Sequence, residues 1–193
     1  LTQAVLRMAS PGVPDLYQGS ESWDYSLVDP DNRRDVPFAA LAAERVDGPV
    51  ASYLAAWPDG RVKRALVERM LALRARWPAT FASGAYVPLR VRGPLGRHVV
   101  AFARCSDEAT VVVVATRLAG PLLGDAPELP RVEPAQWGDT AVVLPRDIDG
   151  PWMDGLEARG TIDVRGRILP LERCLPALPV AVLVAARPPV TRQ

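Results

Sequence analysis

Residues 11–34, PGVPDLYQGSESWDYSLVDPDNRR, join one short apolar segment to a long loop rich in acidic, basic and aromatic side chains. The apolar segment, residues 13–17, lies between a Ser-Pro-Gly breaker and Gly19, a pattern that predicts a buried strand ending in a loop. The loop carries the charged and aromatic residues Glu21, Trp23, Asp24, Tyr25, Asp29, Asp31, Arg33 and Arg34. Barrel enzymes build their sites on long polar loops at the carboxyl ends of strands, so the stretch predicts a barrel strand followed by a functional loop.

Helical patterns lie on both sides of this stretch. Apolar residues recur on one helical face over residues 1–8, upstream of the breaker. Downstream, residues 35–48 predict a short amphipathic helix and residues 53–57 a second short helical piece. The longest predicted helix has Asp59 as its N-cap and ends at Pro78. Its apolar residues repeat at helical spacing, and they are Val62, Leu66, Met70, Leu73 and Trp77.

Beyond residue 84 the pattern changes to short β-like runs separated by glycine, proline and aspartate turns. The predicted strands are residues 86–91, 98–104, 110–116, 140–144, 161–164 and 180–186. The valine run at residues 111–114 predicts a strand that is covered on both faces. The Arg-Gly-Arg sequence at residues 165–167 predicts a tight hairpin between Ile162 and Ile168.

The sequence therefore predicts two units, and its fold class is α/β plus all-β. Residues 1–84 are predicted to form the C-terminal end of a (β/α)8 barrel, with the last strand, a functional loop and closing helices. Residues 85–193 are predicted to form an antiparallel β-sandwich domain. Since one strand cannot close a barrel, the first unit in isolation is expected to pack on the sandwich or to expose surface built for absent strands.

The composition excludes several classes of protein. With 23 basic and 22 acidic residues, the net charge of +1 gives no general attraction to nucleic acid or to a membrane. The longest strongly apolar segment, residues 177–186, contains Pro179 and is too short to span a bilayer. No signal sequence opens the chain, so a cytoplasmic location is expected. The chain begins with Leu1 rather than methionine, which fits a fragment.

The two cysteines, Cys105 and Cys174, lie far apart, with no further cysteine or histidine at metal-ligand spacing. No metal site is therefore expected. Both cysteines lie in or beside apolar segments, which favours small buried hydrophobic side chains over a redox pair. The sequence leaves a disulfide between them open, although cytosolic enzymes seldom keep one.

The Pro-Gly-x-Pro segment that ends in Tyr-x-Gly-x-Glu resembles the eighth barrel strand of the α-amylase superfamily of glycoside hydrolases. Two longer stretches, WDYSLVDPDNRR and WPDGRVKRALVERMLALRARWPATFASGAYVPL, are similar to the C-terminal part of the maltooligosyltrehalose synthases of that superfamily. The resemblance runs from Leu1 to about Leu89, and more weakly to Ala186. It implies a C-terminal fragment of a longer enzyme whose catalytic carboxylates precede Leu1. The chain would then hold no catalytic residue, be inactive alone and need no metal or organic cofactor.

For that family the resemblance implies an isomerase reaction, an intramolecular glucosyl transfer of carbohydrate metabolism that serves trehalose biosynthesis. The reducing-end α-1,4 linkage of a maltooligosaccharide becomes an α-1,1 linkage, which gives maltooligosyltrehalose. The implied partners are the maltooligosaccharide substrate and the remainder of the catalytic barrel, with no nucleic acid and no membrane. Two alternatives stay open: another hydrolase or transglycosylase of the superfamily, or a noncatalytic glucan-binding module.

The loop offers what a sugar pocket needs, which is aromatic platforms for ring faces and fork-like donors and acceptors for hydroxyls. The predicted substrate-binding residues are Tyr17, Gln18, Glu21, Trp23, Asp24, Asp31, Asn32, Arg33 and Arg34. In related α-glucosidases an arginine of this loop contacts the sugar beyond the cleaved bond, which suggests that role for Arg33 or Arg34. The structural alternative, compatible with binding, is an ion-pair network in which Asp29 and Asp31 lock the loop.

Glu21 and Asp24 could instead be a catalytic pair, since retaining glycosyl transfer uses two carboxyl groups about 5–5.5 Å apart. Short acidic loops far more often hydrogen-bond turns and caps, which makes this role the less favoured one. The resemblance matches Glu21 to a position that supports the barrel mouth rather than one that attacks the sugar. The sequence therefore predicts no catalytic residue in this chain.

The single histidine and the other tryptophans carry weaker signals. His98 is expected to be a satisfied or solvent-facing strand residue rather than a general base. Trp57 and Trp77 fall at apolar helical positions and are expected in the core. Trp137 and Trp152 lie beside glycine and proline in predicted loops, where a starch-binding surface is the less favoured possibility.

Overall fold

The computed structural model describes residues 1–125, 127–145, 151–157, 160–162, 164 and 166–186. The helices in these residues are α1 (Thr2–Ala9), α2 (Phe38–Ala43), α3 (Arg61–Arg76), α4 (Pro78–Ala82), α5 (Gly120–Leu123) and α6 (Leu171–Cys174). The strands are β1 (Ala85–Pro88), β2 (Arg90–Arg92), β3 (Val99–Cys105), β4 (Ala109–Thr116), β5 (Ala141–Val143), β6 (Trp152–Asp154), β7 (Thr161–Ile162), β8 (Ile168–Pro170) and β9 (Val180–Ala186). Short 3-10 segments are Asp31–Arg33, Val50–Asp59, Gly96–His98 and Pro134–Trp137.

The strands of the described residues form two sheets in which every pairing is antiparallel. The larger sheet has six strands in the order β1-β3-β4-β9-β6-β7, and the smaller has three in the order β2-β5-β8. At the centre of the larger sheet, Val113 of β4 pairs with Phe102 of β3 and with Val182 of β9. The predicted antiparallel β-structure is confirmed, whereas a separate β-sandwich domain at residues 85–193 stays a prediction.

Strand β4 lies between two layers of the core. All of its residues are buried, which agrees with the valine run predicted to be covered on both faces. Val111 and Val113 belong to a core cluster with α1 and α3, whereas Val112 and Val114 belong to a cluster with the smaller sheet. Because successive side chains of a strand point to opposite faces, the helices and the smaller sheet cover opposite faces of the larger sheet.

Helix α3 follows the predicted apolar spacing. Its buried residues at that spacing are Val62, Leu66 and Met70. The helix begins at Arg61, and the N-cap position is occupied by Gly60 rather than by the predicted Asp59. Asp59 still accepts a hydrogen bond at Oδ1 from the Arg61 backbone N–H, at 2.9 Å, and so satisfies one donor of the first turn. Pro78 lies just beyond α3, as predicted, and begins α4, where its missing N–H costs nothing.

The predicted buried strand at residues 13–17 is wrong. The segment has no regular secondary structure and pairs with no strand of the described chain. Val13 and Tyr17 are 94% and 56% exposed. A strand is held by hydrogen bonds to a neighbour, and the described residues place no neighbour beside this segment. The assignment of residues 1–84 to the end of a barrel therefore stays a prediction.

The chain divides its strands between the two sheets in a way that the sequence did not predict. Residues 86–91 do not form one strand, because β1 lies in the larger sheet and β2 in the smaller. The prediction of a hairpin between Ile162 and Ile168 is wrong, since β7 pairs with β6 and β8 pairs with β5. Gly166 has a φ of 56°, so the chain turns there while it passes from one sheet to the other. Arg165 lies outside the described residues.

Helix α1 and the cysteines agree with the sequence analysis. Val5 and Met8 of α1 are buried, as the helical periodicity predicted. Cys174 is buried, Cys105 is partly buried, and both are thiols. In the part of the chain that the structure describes, no three histidine, cysteine or acidic side chains are grouped to hold a metal ion. None of the described helices has the length and apolar character needed to cross a bilayer.

Candidate functional site

Residues between Tyr17 and Leu41 surround a cleft of about 420 Å³, here called the loop cleft. Its lining includes seven of the nine predicted substrate-binding residues, namely Tyr17, Gln18, Trp23, Asp24, Asp31, Asn32 and Arg34. The 3-10 turn Asp31–Arg33 brings the second half of the loop back toward the first half. One concave surface thus combines aromatic rings with amide, carboxylate and guanidinium groups, the set that suits sugar rings and hydroxyls.

The other two predicted residues, Glu21 and Arg33, do not line the loop cleft. The Arg33 guanidinium forms an ion pair with Asp29. Glu21 is partly buried, and its Oε2 atom is buried without a hydrogen-bond partner among the described residues. The substrate-binding role of Glu21 and Arg33 stays a prediction, and the geometry of the loop cleft does not favour it.

Asp24 and Asp31 hold the loop in its shape. Asp24 Oδ1 accepts hydrogen bonds from the Ser26 hydroxyl at 2.7 Å and the Ser26 N–H at 2.9 Å, and these bonds lower the pKa of Asp24. A general acid needs a raised pKa at neutral pH, so Asp24 is unsuited to that role. Asp31 accepts the Leu27 N–H at 2.7 Å and pairs with Arg34. The predicted ion pairs of the loop are therefore present.

Helix α3 anchors the loop through Lys63, the only lysine of the chain. Lys63 Nζ donates a hydrogen bond to the Ser22 carbonyl oxygen at 2.8 Å. The same atom lies 5.4 Å from the centre of the Trp23 ring, a cation–π distance. Burial lowers the pKa of Lys63, while the nearby Asp24 acts in the opposite direction. Trp23 donates its Nε1–H to the Trp57 carbonyl oxygen at 2.6 Å, which adds a second anchor.

The loop approaches the start of α3 so closely that a glycine is needed there. Gly60 has a φ of 88°, a left-handed conformation that a side chain disfavours. A Cβ atom on Gly60 would also lie only 2.9 Å from the Trp23 backbone nitrogen. The position of Trp23 in the loop cleft therefore depends on the absence of a side chain at residue 60.

Replacing Lys63 with methionine is expected to lower the free energy of unfolding by about 1–2 kcal/mol, because a charged hydrogen bond and a cation–π contact are lost. Methionine keeps the length of the apolar stem, so packing changes little. The matched control is Arg69→Met on the exposed part of the same helix. Urea unfolding followed by tryptophan fluorescence measures both variants. Equal midpoints for the two variants would contradict the anchoring role of Lys63.

Residues outside the loop cleft divide into confirmed and corrected predictions. His98 is buried and satisfied, with Nδ1 2.9 Å from the Leu118 carbonyl oxygen, although it lies in a 3-10 turn just before β3. Trp57 is 39% exposed, so its predicted core position is wrong. Trp57 lies in the 3-10 segment Val50–Asp59 rather than on a regular α-helix, so the predicted helical spacing does not apply to it. Trp137 and Trp152 are buried, which removes the starch-binding surface suggested for them.

Comparisons with known proteins point to one family. No family model matches the chain. Two Mycobacterium tuberculosis proteins, from strains CDC 1551 / Oshkosh and ATCC 25618 / H37Rv, are each named "Putative maltooligosyl trehalose synthase". Each is 38% identical to this chain over 158 residues, which cover 81% of the chain and 17% of the relative.

Solved structures give the same result. The maltooligosyltrehalose synthase from Arthrobacter ramosus superposes with a TM-score of 0.65 and 33% identity, over 95% of this chain and 21% of that protein. Another structure of a maltooligosyl trehalose synthase has a TM-score of 0.59 at 24% identity, which supports the fold alone. The chain thus spans about a fifth of the length of the proteins it matches, as expected for a C-terminal fragment. By sequence and by structure, this chain belongs to the maltooligosyltrehalose synthase family.

Proposed function

We propose that this chain supplies part of the substrate-holding wall of an enzyme that forms maltooligosyltrehalose. In this reaction the reducing-end α-1,4 linkage of a maltooligosaccharide becomes an α-1,1 linkage. The observation that carries the proposal is the loop cleft, where seven predicted sugar-binding residues line one surface. Relatives with 38% and 33% identity, named as maltooligosyltrehalose synthases, support an enzyme of trehalose synthesis, and the change of linkage is part of the proposal.

The residues of the loop cleft would act by binding and positioning rather than by bond making. The reaction class cleaves the terminal linkage to give a covalent glycosyl-enzyme and a free glucose, which then attacks through its anomeric hydroxyl. The glucose must stay bound and water must be excluded, since otherwise water attacks the glycosyl-enzyme and hydrolysis replaces transfer. Arg34 and Asp31 line the cleft as donor and acceptor, and Trp23 offers a ring face. The catalytic carboxylates would come from parts of the enzyme outside residues 1–193.

The surface around the loop cleft fits a partner that covers it. Large apolar side chains are exposed along the loop, and they are Val13, Tyr25, Leu27, Val28 and Phe38. An exposed apolar patch of this kind is typical of an interaction surface. The rest of a catalytic barrel would bury these side chains and complete the cleft. The partner of this surface is therefore, in our proposal, the remainder of the same enzyme.

The proposal is tested with the longer enzyme, incubated with maltopentaose while reducing ends and free glucose are followed together. Loss of reducing ends with little free glucose is the expected result, because an α-1,1 linkage has no reducing end. A gain of reducing ends would mean a hydrolase of the same superfamily and would overturn the proposal. Unchanged reducing ends in the presence of tight glucan binding would favour a noncatalytic binding module.

A further inference from the structure

The loop cleft has two walls that come from different parts of the chain. The first wall comes from residues 17–26, and the second comes from residues 31–41. The walls meet at Gly19, where an added Cβ atom would lie 2.7 Å from Val36 Cγ1. The width of the cleft elsewhere depends on the contacts that fix the two walls relative to each other.

Arg64 of α3 and Glu44, which directly follows α2, connect the two walls. Arg64 Nη1 donates hydrogen bonds to the Leu41 carbonyl oxygen and, at 3.4 Å, to Glu44 Oε2. The Ser22 hydroxyl donates a hydrogen bond to the same Glu44 oxygen at 3.2 Å. Ser22 lies in the first wall and Leu41 in the second, and both line the cleft. The Glu44–Arg64 ion pair is therefore bonded to both walls.

The surroundings of the Glu44–Arg64 pair favour a fixed geometry. The Arg64 side chain is only 15% exposed and the Glu44 side chain 29%, so water screens their attraction less than it would at the surface. The Leu41 carbonyl group belongs to the last turn of α2, where carbonyl groups have no partner within the helix and a cation is favoured. Neither Arg64 nor Glu44 is among the described residues that line the cleft, so both would act through Ser22 and Leu41.

We infer that Glu44 and Arg64 are positioning residues for the loop cleft, which set the distance between its two walls and thereby its affinity for a glucosyl unit. The glucosyl ligand rests on the proposed function, while the contacts between the walls stand on the geometry alone. Because neither residue lines the cleft, loss of the pair should weaken substrate binding without slowing the chemical step. Such a loss raises KM and leaves kcat unchanged.

The test uses the longer enzyme with maltopentaose and compares two carboxylates that pair with the same guanidinium group. Glu44→Ala is expected to raise KM about threefold to tenfold, the effect of one hydrogen bond, and to leave kcat unchanged. Glu68→Ala is the matched control, because Glu68 Oε1 accepts a hydrogen bond from Arg64 Nε at 3.0 Å but Glu68 is not among the lining residues. The control should leave both KM and kcat unchanged.

A double-mutant cycle separates this role from a general loss of stability. Ser22→Ala should raise KM by a similar factor, and combining it with Glu44→Ala should raise KM little further, because both changes remove the same hydrogen bond. Glu44→Gln keeps an oxygen that can accept from Ser22, so it should restore most of the affinity. Should Glu44→Ala fail to fold, Ser22→Ala is compared with Glu68→Ala in its place, since it deletes only one hydroxyl group.

An unchanged KM in Glu44→Ala, or an equal increase in Glu44→Ala and Glu68→Ala, overturns the inference. Fully additive effects of Ser22→Ala and Glu44→Ala on KM overturn it as well. An unchanged KM in an enzyme that forms trehalosyl product rejects the positioning role and keeps the proposed function. A raised KM in Glu44→Ala of an enzyme that only hydrolyses supports the positioning role and rejects the proposed function.

Discussion

Replacing Arg104 with methionine is expected to lower the free energy of unfolding by about 4 kcal/mol. Arg104 lies on β3 and is 1% exposed. Its Nη1 donates to the Ala9 carbonyl oxygen at 3.0 Å, and its Nη2 donates to those of Phe81 and Gly84, each at 3.0 Å. One guanidinium thus joins the end of α1, the end of α4 and the start of β1.

The expected loss of stability has two sources, which are the hydrogen bonds removed with the guanidinium and the buried carbonyl groups left unpaired. Each hydrogen bond to a charged group is worth about 1.5–3 kcal/mol, and each buried carbonyl left unpaired costs about 1–3 kcal/mol. These contributions are not additive, because the carbonyl groups can relax toward water or toward one another. Arg104→Lys should lose less, since lysine keeps the charge but cannot bond three carbonyl groups with the geometry of a guanidinium.

The measurement is urea unfolding with linear extrapolation, applied to Arg104→Met and to the exposed control Arg117→Met. The control should change the free energy of unfolding by less than about 0.5 kcal/mol, as is usual for surface positions. A difference between the two variants of less than about 1 kcal/mol would show that the three carbonyl groups do not depend on Arg104.

Helices and strands whose own residues show the full hydrophobic pattern could be predicted from the sequence. Helix α3 shows apolar residues at helical spacing, and β4 and β9 are valine-rich over a strand's length. These signals need only the segment itself and a buried environment. The valine run of β4 even predicted burial on both faces, because no polar residue interrupts it.

Features that depend on a partner could not be predicted in the same way. Residues 13–17 have a strand-like composition, yet a strand requires a neighbour and the described chain offers none. Strands β1 and β7 lie in the larger sheet, whereas β2 and β8 lie in the smaller sheet. Which sheet a strand joins depends on its neighbouring strand, and the alternation of its own side chains does not indicate that neighbour.

Seven of the nine residues predicted to bind substrate line one cleft, because they follow one another along a single loop. Their binding role stays a prediction. The anchors were missed, because Lys63 and Trp57 are distant in sequence and both resemble ordinary helix positions. A usable signal was present in Lys63, since it is the only lysine among 23 basic residues.

Replacing Arg34 with alanine in the longer enzyme is expected to raise the ratio of free glucose to trehalosyl product several-fold. Arg34 lines the loop cleft and pairs with Asp31, so its loss removes a donor and loosens the acceptor beside it. A tenfold change in this ratio corresponds to about 1.4 kcal/mol, which is within the range of one charged hydrogen bond. Asp31→Ala should shift the ratio in the same direction, because it removes the partner that holds Arg34 and the turn at Leu27.

Arg33→Ala is the matched control for Arg34→Ala, since both side chains are 74% exposed and both pair with an aspartate of the same loop. Only Arg34 lines the loop cleft. If the arginine pairs act only to lock the loop, the two alanine variants should raise glucose release equally. If Arg34 holds the freed glucose, the Arg34 variant should release more free glucose per mole of trehalosyl product than the Arg33 variant. Unchanged product ratios in both Asp31→Ala and Arg34→Ala would remove the binding role from the loop, because removing a residue that holds the glucose must change how much glucose is released.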